Sequence, residues 1–274
     1  MLEVVPQADV FSPVFDPKNF PELVGKVTTS FVQKIPVLKH RPKLIPFLRT
    51  YAFESMDFSG YDLVISSSSA ESKGIVTGTE TRHVCYCHTP TRYYWSHAQQ
   101  YAKNPEFGWL NPIARLFMPY MIHRLRMWDF LAAQRVDAFV ANSHTTARRI
   151  SKFYRRESEV LHPGIDSDRF VIGEEKKDYF LALGRVVPYK RFDLLVETFN
   201  RNGLPLKIVT SQQNKLQKSL QAISKENIEW VFGVDHEQKI GYFQKARAFL
   251  FPPEEDFGMV PVEAMLCGTP VIAL

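Results

Sequence analysis

Short runs of consecutive apolar residues recur along the chain, each followed by a longer stretch in which apolar positions fall three or four apart. This is the pattern of β-strands alternating with amphipathic helices over a parallel sheet. It occurs twice. In the first part strands are expected at 8–12, 62–66, 83–87, 138–141 and 159–161, and in the second at 179–183, 206–210, 228–232, 248–251 and 270–273. Between the two sets lies HPGIDSDRFVIGEEKKD (162–178), whose Pro163, Gly164 and charged tail read as an interdomain linker. The boundary is placed near residue 170, giving domains 1–170 and 171–274, each a doubly wound α/β unit. Both ends look abrupt: a helix tail leads almost directly into ADVF with no strand and glycine-rich turn before Ala8, and the chain stops at the strand in GTPVIAL. The pattern therefore reads as an incomplete copy of the doubly wound arrangement.

Composition narrows the class. With 274 residues, 45% hydrophobic and 23% charged, the chain is too apolar for disorder and too charged for a membrane bundle. No apolar run approaches the ~20 residues that cross a bilayer, and MLEVVPQADV lacks the basic-then-apolar order of a secretory signal, so a cytoplasmic location is expected. Three cysteines, Cys85, Cys87 and Cys267, do not form a disulfide framework.

The net charge of +5 is uneven. Residues 1–170 hold 21 Lys and Arg against 16 acids, whereas 171–274 hold 13 of each. Within 111–156, nine cations (Arg115, Arg124, Arg126, Arg135, Arg148, Arg149, Lys152, Arg155, Arg156) face two acids, Asp129 and Asp137. Such a stretch is a solvated helix face, or it meets an anionic membrane surface, an anionic substrate or nucleic acid. Residues 111–135 interleave Leu116, Phe117, Met118, Met121, Ile122, Leu125 and Trp128 with Arg115, Arg124 and Arg126, a mix that suits an interfacial helix or a core-facing one. No recognisable nucleic-acid module accompanies it.

Three segments carry candidate chemistry. In PPEEDFGMVPVEAMLCGTPVIAL (252–274), prolines close a strand, acids follow, Gly258 allows close backbone approach, and a helix is expected near Pro261 with Glu263 in its first turn. Glu255 and Glu263 can then face one crevice, where carboxylates accept hydrogen bonds from the diols of a sugar or ribose. The amides of Phe257, Gly258, Met259 and Val260 lie near a helix N-terminus, suited to anionic or hydroxyl oxygens. Alternatively, Glu263 is a helix-dipole acid and Glu255 a solvated one. In LALGRVVPYKRFDLLVETF (181–199), a strand ends at Gly184 and a helix is expected near Pro188; Arg185 and Lys190 flank the turn as a diphosphate site or as surface cations. In HVCYCHTPTRYYW (83–95), Cys85 and Cys87 share one strand face but no second ligand pair lies nearby, which argues against structural zinc. His88, at the strand end, faces the crevice or is a buried, satisfied histidine.

Together, GRVVPYKRFD, the Glu255–x7–Glu263 pair in EEDFGMVPVEAMLCGTPVIA, and CHTPTRYYW resemble the retaining glycosyltransferases of the glycosyl-transferase group 1 type, with a GT-B fold, and the mannosyltransferase-like branch of polysaccharide or O-antigen assembly. The resemblance spans 8–274. It implies transfer of a sugar from a nucleotide-sugar donor, GDP-mannose on the strength of the branch, to a hydroxyl of a glycan or lipid-linked acceptor, with retention. Arg185 and Lys190 match the donor-diphosphate pair, Glu255 the acid at the donor-sugar hydroxyls, and Glu263 the ribose ligand. The amides around Gly258 and Met259 match those on sugar and phosphate, and His88 the first-domain histidine near the transferred sugar. No metal, other cofactor or covalent nucleophile is implied. The family's first glycine-rich loop and its final strand and helix have no counterpart here, and TSQQNK (210–215) stands where relatives often carry a glycine-rich turn. A sugar-nucleotide epimerase on the same fold is a different enzyme class with the same donor chemistry, and a basic nucleic-acid-binding protein is the non-enzyme alternative.

Overall fold

The computed structural model describes residues 2–35, 46–103, 111–211 and 213–274, which divide into two compact units, Met1–His162 and Pro163–Leu274. The division falls at the start of the 162–178 segment, before residue 170.

In the first unit, residues 2–7 form turns and no helix tail. Strand β1 (Val10–Ser12) pairs parallel with β2 (Val27–Thr29) in a sheet of its own, not with the later strands as the alternation suggested. After α1 (Pro46–Glu54) come β3 (Leu63–Ser68), β4 (Arg82–Cys87), α2 (Ala98–Lys103), α3 (Asn111–Gln134), β5 (Ala138–Ala141), α4 (His144–Tyr154) and β6 (Glu159–Val160). The last four strands form one parallel sheet in the order β3-β4-β5-β6. Ser143 caps α4 by accepting from the Thr146 amide, which places Thr146, Ile150 and Tyr154 on one buried stripe. One sheet face packs against this stripe and the end of α3, through Cys85, Cys87, Phe139, Ala141, Ala133 and Val136. On the other face Leu63 and Ile65 remain 52% and 43% exposed.

A polar cluster sits inside this unit. Lys73 and Asp129 are 1% and 0% exposed, with Nζ 2.5 Å from Oδ1. The same carboxylate accepts from the Thr91 hydroxyl (2.8 Å), the Trp95 indole (2.8 Å) and the Tyr154 hydroxyl (2.8 Å). Lys73 also donates to the Ala70 carbonyl at 2.6 Å and to Thr91 at 3.2 Å. Beside it, Gly74 approaches α3 so closely that an added Cβ would lie 2.4 Å from the Trp128 ring. A second buried cluster joins Glu71 to the Arg49 guanidinium and to the hydroxyls of Tyr93 and Tyr94.

The second unit runs β7 (Phe180–Leu183), α5 (Phe192–Asn202), β8 (Leu206–Thr210), α6 (Lys215–Ile223), β9 (Ile228–Phe232), α7 (His236–Lys245), β10 (Ala248–Phe251), α8 (Met259–Leu266) and β11 (Val271–Ala273). All its strands are parallel, in the order β11-β10-β7-β8-β9. Local chemistry fixes the ends: Gly203 takes the left-handed conformation after α5 (φ 71°), and Asp235 with Gln238 forms a capping box at α7. Alternate strand residues fill two cores. Ala182, Leu206, Ile208 and Leu250 meet Phe192, Val196, Phe199 and Leu220 on one face. Leu181, Val209 and Phe249 meet Phe243, Ala246, Ala264 and Cys267 on the other. The second unit is thus doubly wound, with both faces covered as a parallel sheet requires.

Two predictions follow from the first unit. Replacing Lys73 by Met strands a buried carboxylate beside an apolar side chain, which costs about 3–5 kcal/mol. The loss should appear as a lower urea midpoint at unchanged slope. Burial also pushes the His83 imidazole down to about 4. The unfolded chain then takes up a proton near pH 6.5 that the folded chain refuses until about 4, so this stability is present above 6.5 and is lost as pH falls, at about 1.4 kcal/mol per unit. Between pH 7 and pH 5, His83→Asn should lose about 2 kcal/mol less than wild type in urea unfolding.

Candidate functional site

The strand order reverses direction between β7 and β10. From β7 the chain builds outward through β8 and β9, then returns to place β10 on the other side of β7. In open α/β sheets the connections diverge at such a point and leave a crevice beyond the carboxyl ends of the two strands. Both second-unit motifs lead out of it.

After β7, Gly184 adopts φ 147°, and a Cβ there would meet Lys190 Nζ at 3.3 Å. Glycine therefore admits both the turn and the lysine folded back across it. Arg185 follows, exposed and without an ion-pair partner among the described residues. The turn Pro188–Lys190 is a single 3₁₀ stretch and Arg191 is left-handed (φ 53°), so α5 starts at Phe192 and not near Pro188.

After β10, Pro252 and Pro253 help line a shallow pocket with Leu183, Lys190, Phe192 and Phe251. Lys190 Nζ lies 3.4 Å from Glu255 Oε1, with the side chains 15% and 20% exposed, so the structure brings together one residue from each motif. Gly258 then takes φ 85° as the N-cap of α8, a conformation strained for other residues, and is followed by the amides of Met259 and Val260. Helix α8 begins two residues before Pro261, so Glu263 lies in its second turn, not its first. That removes the helix-dipole explanation for Glu263, since the dipole acts within the first turn. Glu263 pairs with Lys239 of α7 at 2.5 Å, and not with Lys190. Lys239 belongs to none of the motifs. Its signal is a lysine four residues before the buried Phe243, on the stripe where α7 turns apolar residues to the core.

In the first unit, His88 follows β4 directly. Its Nε2 lies 2.8 Å from Ser67 Oγ at the end of β3, and its ring stands edge-on to Tyr86 at 5.1 Å. Its amide donates to the Ser68 carbonyl and its carbonyl accepts from Thr146. Ser67 was not a candidate, because one serine in a run of four carries no signal. Cys85 and Cys87 are buried thiols on one face, and the described residues hold no group of three or more His, Cys, Asp or Glu placed to bind a metal.

The basic stretch separates into two sets. Ile122 and Leu125 are core, Arg126 Nε donates to the Tyr94 carbonyl at 2.6 Å, and Trp128 donates to Glu54, so these are not interfacial. Arg135 bonds Glu54 and the Gly74 carbonyl, and Arg156 reaches the Ala133 and Gln134 carbonyls at the end of α3. The opposite side of α3 exposes Leu116 (75%), Phe117, Tyr120, Met127 and Leu131 beside Arg124. No described helix is long and apolar enough to cross a membrane.

The fold is that of the GT-B glycosyltransferases. Anabaena HepE, solved in complex with UDP-glucose, matches with a TM-score of 0.56 at 15% identity over 93% of this chain and 69% of that one. WaaG, a glycosyltransferase involved in lipopolysaccharide biosynthesis, matches with a TM-score of 0.50 at 18% identity over 70% of this chain and 59% of that one. More narrowly, the chain belongs to glycosyltransferase family 4: the model "Glycosyltransferase Family 4" matches residues 7–169, and "Glycosyl transferases group 1" matches 164–274. Among curated relatives, the O-antigen chain mannosyltransferase RfbU of Salmonella typhimurium is 28% identical over 152 residues, 52% of this chain and 43% of the relative. The D-rhamnosyltransferase WbpZ of Pseudomonas aeruginosa is 25% identical over 176 residues, 59% of this chain and 45% of the relative. The chain spans less than half the length of these relatives.

Proposed function

We propose that this chain is the core of a retaining glycosyltransferase of polysaccharide or O-antigen assembly, which moves a sugar from a nucleotide-sugar donor to a hydroxyl of a glycan or lipid-linked acceptor. The observation that carries the reading is the Lys190–Glu255 pair at the β7–β10 reversal, where a cation for phosphate and an acid for sugar hydroxyls meet at 3.4 Å. We take GDP-mannose as the donor; the name of one relative, an O-antigen chain mannosyltransferase, supports the sugar.

In this reading the acceptor oxygen bonds to the anomeric carbon on the face from which the nucleoside diphosphate leaves. The bond to the leaving phosphate oxygen breaks, and the acceptor proton passes to a phosphate oxygen. Arg185 and Lys190 offset the charge that grows on the diphosphate, Glu255 holds sugar hydroxyls, Glu263 the ribose, and the amides from Phe257 to Val260 the sugar and phosphate oxygens. His88 carries over from the family resemblance as the histidine that acts at the transferred sugar. An epimerase would use the same donor contacts but inverts one carbon of the sugar and needs no acceptor, and nothing in the geometry favours it.

Arg185→Ala and Lys190→Ala should each lower transfer roughly 10- to 200-fold with unchanged circular dichroism, as expected for losing a hydrogen bond of ~1.5–3 kcal/mol to a charged group in the transition state. Transfer within twofold of wild type in both variants removes the diphosphate assignment.

The exposed side of α3 extends the proposal to an anionic membrane surface, where a lipid-linked acceptor is presented. Leu116, Tyr120, Met127 and Leu131 fall on one stripe opposite the core, with Arg124 beside it. Sedimentation should find the chain with anionic vesicles, in solution with neutral ones, and released by high salt or by Arg124→Glu, since each surface cation contributes ~1 kcal/mol. Equal recovery in the supernatant throughout would make the stripe an ordinary exposed face.

A further inference from the structure

We propose that Lys239 is a positioning residue of the donor site: it holds the Glu263 carboxylate in the orientation that receives a donor hydroxyl and offsets its charge beside the donor diphosphate. The proposal rests on the reading of Glu263 as the ribose ligand.

The geometry differs from that of a surface ion pair. Lys239 Nζ lies 2.5 Å from Glu263 Oε2, and the two side chains are only 20% and 15% exposed. Oε2 itself is shielded from solvent and makes no hydrogen bond with the described residues, so its contact with Lys239 is ionic. A carboxylate oxygen in that position loses its hydration and needs a fixed cation to stay charged and in place. The lysine is fixed in turn, because its Nζ stands 5.7 Å from the ring of the fully buried Phe243. An ion pair that merely fastens α7 to α8 is superfluous here, since Phe243, Ala246, Ala264 and Cys267 already bring those helices together in one core.

Charge gives the pair a purpose. A nucleotide-sugar brings two negative charges on its diphosphate, while Glu255 and Glu263 place two carboxylates around the start of α8. Unneutralised acids would repel the ligand whose hydroxyls they recognise. Each acid here has its own lysine, but the two pairs are unlike. Lys190 and Glu255 stand 3.4 Å apart, a loose contact that the donor separates when Lys190 turns to the phosphate. Lys239 and Glu263 are in close contact at a shielded oxygen, so this pair stays closed and presents a carboxylate already neutralised and oriented.

Calorimetric titration of the full chain with GDP and with UDP selects the tighter nucleotide as the probe. Lys239→Met should weaken that nucleotide about tenfold, and Lys239→Arg should restore it to within about threefold. Added to Glu263→Gln, Lys239→Met should cost less than about twofold more, because the lysine acts through the acid. Thermal unfolding separates this from a purely structural role, which would lower the melting temperature and leave affinity unmoved. If Lys239→Met does not fold, Lys239→Gln against Lys239→Arg carries the same comparison. Wild-type affinity in Lys239→Met alongside a weakened Glu263→Gln overturns the positioning role and leaves the ribose reading standing. Full additivity in the double variant also overturns it, since Lys239 would then meet the nucleotide on its own. Wild-type affinity in Glu263→Gln removes the ribose reading itself, and this proposal with it.

Discussion

The first unit depends on one carboxylate. Asp129 receives Lys73, Thr91, Trp95 and Tyr154, which come from the turn after β3, the segment after β4, and α4, while Asp129 itself lies on α3. Four donors compensate the desolvation of a group that would otherwise be prohibitive in a core. The arrangement also sets geometry: Thr91 and Trp95 flank the TRYYW run that follows His88, so the strand end bearing the histidine is anchored three and seven residues downstream. The neighbouring Glu71 cluster ties Tyr93 and Tyr94 of the same run to Arg49 of α1. Few apolar side chains are available along residues 88–95, and polar satisfaction takes their place.

The second unit is organised differently. Its sheet is covered on both faces by apolar cores, and the Lys190–Glu255 pair lies in the loops beyond the two strands where the order reverses. Two glycines have positive φ in these connections: Gly184 directly after β7, and Gly258 at the N-terminus of the helix that follows β10. Lys190 folds back over Gly184, and Gly258 starts α8 just after the loop that carries Glu255. The Lys190 and Glu255 side chains are 15% and 20% exposed, which leaves them within reach of a ligand.

Much of this was legible along the chain, and the reasons for success and failure are physical. Strands such as LALG and AFLF are continuous apolar runs because both sheet faces are covered, so they stand out. Strand β2, three residues and half-buried, has no such contrast. Lys190 and Glu255 were visible as members of motifs, but their contact joins residues far apart in sequence and needed the fold. Lys73 and Asp129 carry no signal of burial in the sequence, since a lysine after SSSSAES and an acid in a basic helix look ordinary until a separation of 56 residues is closed. The helical reading of 111–135 was correct, but periodicity does not say which of two apolar faces is the core. The structure places Ile122, Leu125 and Asp129 inside and leaves Leu116, Tyr120, Met127 and Leu131 outside.

The close approach at Gly74 limits how these segments change over evolutionary time. A single methyl group there would overlap the Trp128 ring, and that ring is held by its own hydrogen bond to Glu54, which also receives Arg135. Position 74 therefore cannot enlarge while position 128 stays aromatic. Divergence at the two sites has to be paired: a residue with a side chain at 74 becomes acceptable once 128 has shrunk, and the intermediate with both large is the one selection removes. Related sequences that keep Lys73 and Asp129 should show those two positions drifting together, with Glu54 and Arg135 following when the indole is lost.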